Sequence, residues 1–352
     1  MVRKAAGKGG DHVVTMRDVA KAAGVSIKTV SNVVNDYEFV SDATREKVSK
    51  AIEELGYTVN VSARNLRTGQ TGIIGLAIPD LQMPYFAQLS SLVIEEAKKV
   101  GLRVIVEPTL YSREGELDVL HDVRTTMLDG LIYSPLELGP SDEGELNVDY
   151  PLVLLGERIF TKAVDHIATE NVEGAKRATS YLIQTGCRRI AVVGVHEGED
   201  VGSAALRFRG YREALEEAGV DFDERLVVPS RMWHRIDGVH AMNGLFDSGS
   251  VPDGVVVLND MLASGVMHAI QMRDLRIPDD ISVIGFDNSD DSQYLSPALT
   301  TISPGLDAVA RLAVRVLKNR IDGRPPLDGD STAPVFRKVS STLVVRQSTR
   351  AM

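Results

Sequence analysis

A single cysteine in 352 residues, Cys187, permits no internal disulfide and fits a reducing cytosol. Aromatic residues make up only 5%, with one tryptophan, Trp233. No apolar run approaches the roughly 20 residues that span a bilayer. The opening MVRKAAGKGGDHV is basic but lacks the apolar stretch of a secretory signal, and reads as a short disordered arm over residues 1–13. The seven histidines form no H-E-x-x-H pair, and neither a nucleophile elbow nor a phosphate-binding glycine loop is present. The run Asp287, Asn288, Asp290, Asp291 lacks the glycine and distal glutamate of a calcium loop. No catalytic set, metal or cofactor is therefore expected. What is present, 43% hydrophobic and 25% charged residues, suits two or three soluble domains.

Net charge is −10, but it is unevenly spread. Residues 1–70 hold 11 Lys+Arg against 8 Asp+Glu, and the remainder 28 against 41. A basic head on an acidic body keeps phosphate affinity local. The modest excess suggests that two heads must act together.

Residues 14–35 read VTMRDVAKAAGVSIKTVSNVVN. Met16, Val19, Ala20 and Ala23 fall on one apolar helix face, and Gly24 supplies the left-handed stop. Ser26 stands at an N-cap with Thr29 three residues on. In the second helix Val30, Val33 and Val34 point inward, leaving Ile27, Lys28, Ser31 and Asn32 outside. One cation, two hydrogen-bonding groups and one apolar group are what major-groove readout needs. The alternative is an ordinary helical hairpin with a solvated polar face. Ser41 can cap a third helix to Leu55, with Val48, Ile52 and Leu55 on one stripe and Gly56 as its stop. A polar, basic stretch with one isolated leucine, Leu66, follows over residues 60–71 and is too short to be a stable helix alone.

From Thr71 the pattern changes to a βα alternation. TGIIGLAIP, LRVIVEP, DGLIYSP and PLVLLG read as buried parallel strands, and RRIAVVG, DGVVVLN and ISVIGFD repeat the theme after residue 170. Two such series predict two doubly wound lobes facing across a cleft at their strand ends.

The helix-turn-helix, VSDATREKV, ELGY and N-x-x-A-R-x-L-R-T-G-x-T together resemble the lactose/galactose repressor family of bacterial transcription regulators, from about Val14 to Thr349. The resemblance implies a small all-α helix-turn-helix head (14–59), a hinge (60–70) and an α/β core like periplasmic binding proteins. Its first lobe would comprise 71–168 with 299–325, and its second 169–298 with 326–352. The final RKVSSTLVVRQST would return to the second lobe as an edge strand. It implies a ligand-responsive repressor that binds a palindromic operator as a homodimer, in the bacterial cytoplasm and on the nucleoid when DNA-bound. DNA contacts would come from Thr15, Ile27, Lys28, Thr29, Ser31, Asn32 and Asn35, and from Ala63, Arg64, Leu66 and Arg67 of the hinge. Leu66 would wedge into the minor groove.

Effector contacts are expected from Tyr85 and Phe86, which follow Met83-Pro84 where relatives often have Asn-Pro. The others are Ser134, Arg207, Trp233, Asn259 and Asp287. Glu157 is a weaker candidate, Arg209 faces solvent, and Asp260 can instead cap the helix at Met261. One arginine against one aspartate suits an uncharged sugar, with a nucleobase as the rival ligand. A transport-type sugar-binding protein is the alternative function. It would share the core but lack the basic head.

Overall fold

The computed structural model describes residues 14–34, 37, 39–57, 70–123, 127–327, 329 and 331–351. They belong to two compact units, residues 1–71 and 72–352.

The first unit holds α1 (Met16–Ala23), α2 (Ile27–Val34) and α3 (Asp42–Leu55). Their ends are set by local chemistry. Asp18 accepts from both the backbone N–H and the hydroxyl of Thr15, at 2.9 and 2.7 Å, which closes the start of α1. Gly24 at φ +65° turns the chain out of it. The Ser26 hydroxyl accepts from the Thr29 N–H at 3.0 Å, and Ser41 does the same for Thr44 at 3.4 Å. Val19, Ala20, Val30, Val33, Val48, Ala51 and Tyr57 form the buried core. Leu55 is exposed rather than buried, and Ala51 occupies the inward position.

The second unit contains two six-stranded sheets. The strands are β1 (Ile73–Ile78), β2 (Arg103–Pro108), β3 (Leu131–Tyr133), β4 (Leu152–Leu155), β5 (Asp165–Thr169), β6 (Ile190–Val195), β7 (Val227–Pro229), β8 (Gly254–Val257), β9 (Ser282–Phe286), β10 (Thr300–Ser303), β11 (Phe336–Val339) and β12 (Thr342–Val344). The helices are α4 (Pro84–Lys99), α5 (Arg113–Asp122), α6 (Asn171–Gln184), α7 (Ser203–Glu217), α8 (Arg235–Asp247), α9 (Asp260–Gln271) and α10 (Leu306–Ile321). The first sheet runs β11-β5-β4-β3-β1-β2, all parallel. The second runs β12-β10-β9-β8-β6-β7, with only β12 antiparallel. Central strands such as IAVVGV are buried throughout because helices cover both faces. The edge strand β2 instead alternates exposed and half-buried residues.

Helices α8 and α9 touch backbone to backbone. A methyl at Gly238 would meet the Leu262 carbonyl oxygen at 2.1 Å, and one at Gly265 the Arg235 carbonyl oxygen at 1.9 Å. Only glycine allows that approach.

The crossings between sheets differ from the boundaries expected from sequence. Thr300–Ser303 pairs with β9 and β12 in the second sheet, so the return to the first lobe comes at Pro304–Gly305 rather than at 299. The stretch after 325 is not wholly second-lobe. Phe336–Val339 pairs with β5 in the first sheet, and only Thr342–Val344 joins the second. The apolar runs show where strands exist, but not which sheet edge offers free hydrogen bonds. The short strands β5, β7 and β10 also escaped the sequence reading.

Candidate functional sites

On the head, Ile27 is 45% exposed, and Lys28 is exposed beside it on α2. Ser31 and Asn32 are half-buried, a difference from the fully outward placement expected. The Asn32 carbonyl oxygen accepts from the Tyr37 N–H at 2.9 Å. Thr29 is half-buried, its hydroxyl 2.8 Å from that of Ser26. Thr15 is exposed, but its hydroxyl serves the cap of α1. Asn35, Ala63, Arg64, Leu66 and Arg67 lie outside the described residues, as do residues 1–13 and most of the hinge.

In the core, the carboxyl ends of the two sheets face each other across a cleft of about 850 Å³. That volume lies within the range of small-molecule sites, roughly 300–1,000 Å³. Tyr85, Phe86, Ser134, Arg207, Trp233 and Asp287 all line it. Asn259 does not. Its side-chain oxygen caps α9 by accepting from the Leu262 N–H at 2.7 Å, and its amide reaches the Trp233 carbonyl oxygen at 3.4 Å. A strand end followed by a helix needs a cap, and that need claims the residue. The helix begins at Asp260, one residue before the position assumed from sequence.

Arg207 projects from α7 and is buried. Its Nε donates to Asn171 Oδ1 at 2.7 Å, Nη1 donates to the Leu258 carbonyl oxygen, and Nη2 lies 3.6 Å from Asp287 Oδ1. Its guanidinium sits 3.6 Å from the Phe286 ring centre. With Nε and Nη1 held by the protein, Nη2 and the Asp287 carboxyl remain as the polar groups the pair offers the cleft. Burial is the main cause that pushes the Asp287 carboxyl up from 3.8 to about 8, with Arg207 opposing and Asp260 adding to the rise. Asp287 adopts φ +117° and Asn288 φ +53°, conformations that side chains rarely take. Asp260 enforces this turn. It accepts from the Ser289 N–H at 2.8 Å and the Thr301 hydroxyl at 2.6 Å, and burial raises it from 3.8 to about 7.

The first-lobe wall is held as firmly. Glu116 is fully buried and accepts from three successive backbone N–H groups, Leu136, Glu137 and Leu138, at 2.7, 3.0 and 2.8 Å. One side chain accepting from a row of amides fixes the loop that follows Ser134. Behind β4, Gly156 at φ +85° gives its carbonyl oxygen to His166 Nε2 at 2.6 Å. Burial holds His166 below its ordinary value, so it acts there as a neutral donor. Glu157 accepts from the Thr169 N–H and hydroxyl at 2.8 and 3.0 Å, and burial pushes its carboxyl up. Next to it, Arg158 crosses the cleft to Glu199 at 3.2 Å, and Glu199 also meets His196 Nδ1 at 2.9 Å.

Tyr85 and Phe86 sit at the start of α4, their rings edge-to-face at 89° and 5.0 Å apart. Burial raises the Tyr85 hydroxyl well above its ordinary value, so it stays a neutral donor and acceptor. Phe86 also packs on the first-lobe core. Trp233 donates to the Gly194 carbonyl oxygen at 2.9 Å, which fixes its ring between Arg207 and His196. Arg209 pairs with Glu213 on the surface. The lining carries five carboxylates and three arginines, so it is not the balanced single pair inferred from sequence. Arg158, His196, Glu199 and Tyr111 were missed. Tyr111, Arg158 and His196 all lie within three residues of a strand end, so the strand-end rule contained the signal. Among the described residues no group of His, Cys, Asp or Glu is arranged to hold a metal ion, and no helix is long and apolar enough to cross a membrane.

Residues 15–60 match the family described as "Bacterial regulatory proteins, lacI family", and residues 179–349 match a periplasmic binding protein-like domain. The chain is 33% identical over 339 residues to the ribose operon repressor of Halalkalibacterium halodurans, covering 96% of this chain and 98% of the relative. It superposes on the lac repressor dimer bound to operator and the anti-inducer ONPF with a TM-score of 0.82, 28% identity, and coverage of 97% and 100%. A LacI-type transcription regulator from Bifidobacterium animalis subsp. lactis gives a TM-score of 0.73 at 32% identity over 79% of this chain and 100% of that one. A helix-turn-helix head, a hinge-length connection and a two-lobed core thus occur in one order along one chain, and the protein belongs to the lacI family of bacterial transcription repressors.

Proposed function

We propose that the protein represses transcription as a homodimer on a roughly palindromic operator and responds to a sugar-like effector held in its cleft. Two α2 helices enter successive major grooves, with Ile27, Lys28, Thr29, Ser31, Asn32 and Asn35 at base edges and Thr15 near the backbone. The hinges, through Ala63, Arg64, Leu66 and Arg67, take the minor groove between half-sites. The similarity to a repressor solved as a dimer on its operator supports this reading.

The observation that carries the effector assignment is the buried Arg207–Asp287 pair opening into the cleft beside Tyr85, Phe86, Ser134 and Trp233. Arg207 Nη2 and Asp287 Oδ1, 3.6 Å apart, suit a ligand hydroxyl that accepts from the first and donates to the second. The edge-to-face Tyr85–Phe86 pair offers no parallel slot for a flat base, which favours a sugar over a nucleobase. The relative named for the ribose operon points the same way. Effector binding alters operator affinity through its unequal affinity for two arrangements of the lobes.

A thermal-shift screen of sugars, sugar phosphates and nucleobases, followed by operator gel shifts with each hit, tests the reading. A sugar that raises the unfolding temperature and changes operator affinity is the expected result. Stabilisation by nucleobases alone would replace the effector class. Hits that leave operator affinity untouched would break the link between cleft and head.

A further inference from the structure

Tyr37 and Phe39 lie on the short connection between α2 and α3, and the fold leaves them in solvent. Phe39 is 81% exposed, more than any other large apolar side chain among the described residues, and Tyr37 is 52% exposed. The two rings meet each other edge-to-face at 5.7 Å and 62°. Their backbone is not left loose. The Tyr37 N–H donates to the Asn32 carbonyl oxygen at 2.9 Å, and the Tyr37 carbonyl oxygen accepts from Arg45 Nη2 at 3.3 Å. The pair is therefore tethered on one side to the helix whose outer face is assigned to base reading, and on the other to α3. Both residues fall inside the stretch that matches the DNA-binding family.

We infer that Tyr37 and Phe39 form an apolar extension of the DNA contact surface, packing on deoxyribose rings or a thymine methyl at the margin of the groove read by α2. An aromatic pair this exposed gains by removing its surface from water, and the continuous surface on offer is the duplex. The sequence says which part of the duplex. The Phe39 ring carries neither charge nor hydrogen-bonding group, so it suits the uncharged sugar and base-methyl surface rather than phosphate oxygens. This separates the pair from Lys28, whose contact would be ionic. The inference rests on the DNA-binding assignment of the head and adds a contact that the helix face alone does not contain.

The test uses the full-length dimer and two probes: sheared genomic duplex DNA at low salt, and a duplex selected from a random library by the wild-type protein. Phe39→Trp is placed in a Trp233→Phe background, so that position 39 is the only tryptophan. The expected result is a water-exposed emission in the free protein that shifts to the blue and resists acrylamide quenching when the selected duplex is added. Phe39→Ala should weaken the selected duplex by at least about fivefold, while the slope of log affinity against log salt stays that of wild type. Lys28→Ala should flatten that slope.

Unchanged emission on a duplex that gel shift shows to be bound overturns the inference. So does an emission already shielded before DNA is added, because the pair would then be covered by another part of the protein. A flattened salt slope in Phe39→Ala would reassign the segment to phosphate. Failure to bind any duplex would instead overturn the DNA-binding assignment, and this inference with it.

Discussion

Asn32 on the head and Asn259 in the core both present themselves in the sequence as binding residues, and the fold treats them in opposite ways. Asn32 remains on the outer side of a two-turn helix, half-exposed, its carbonyl engaged but its position set by residues within a few places of it. Asn259 is withdrawn into the cap of α9, bonded to Leu262, and absent from the cleft lining. The difference is one of scale. The head's surface is made by one helix and two glycine-stopped turns. The cleft is made by strand ends drawn from distant parts of the chain, and the fold's own hydrogen-bonding needs take first claim on each residue there. Arg207 shows the other side of this rule, since Asn171, Leu258 and Asp287 hold it for the cleft from well away in sequence.

The largest test of the contrast is Arg207→Ala. It leaves Asn171, the Leu258 carbonyl oxygen and Asp287 without the donor they share, and should cost the core about 1–3 kcal/mol. Effector response should vanish while operator binding persists. Denaturant unfolding followed at Trp233 reads the first effect, and a loss under about 1 kcal/mol would mean that the pair is not the clamp described.

A paired comparison comes next. Asn32→Ala should lower discrimination at individual base pairs by about 1–3 kcal/mol without changing core stability. Asn259→Ala should lower core stability by about 1–2 kcal/mol and leave base discrimination alone. Competition gel shifts with single-base operator variants, set beside unfolding curves, would dissolve the contrast if the two effects were exchanged.

The third test is pH. Burial raises the carboxyls of Asp287 and Asp260 in the folded core from the ordinary 3.8 to about 8 and about 7. Between those values the folded state holds protons that the unfolded chain has released, so this contribution to stability is greatest at acid pH and falls as pH rises toward 8. The core should therefore melt higher at pH 5.5 than at pH 8. Asp287→Asn should flatten the dependence, and an unchanged slope in that variant would clear Asp287 of responsibility.

The smallest effect belongs to the head. Gly24→Ala forces a side chain into φ +65° and should destabilise the head by about 1 kcal/mol. No added methyl would touch another atom there, so the cost is purely conformational. Thermal melts of the full chain monitored by DNA binding measure it.

Local order was legible without the structure. The apolar spacing and the glycine after α1 mark the turn, the serines at 26 and 41 mark the helix starts, and the continuous Val/Ile/Leu runs mark strands buried on both faces. These follow from interactions between residues a few places apart, which a linear text records. Six of the seven effector candidates taken from strand ends and from the family resemblance also line the cleft. Only the tertiary structure decided the rest. It set β10 in the second sheet and β11 in the first, because a free sheet edge is a property of the assembled sheet. It took Asn259 for a cap, gave Asp260 the turn that strains Asp287, and set Glu116 behind the cleft wall with three amides in its reach. Each of these depends on which distant donor or acceptor would otherwise be buried without a partner, and that demand exists only once the chain has folded around it.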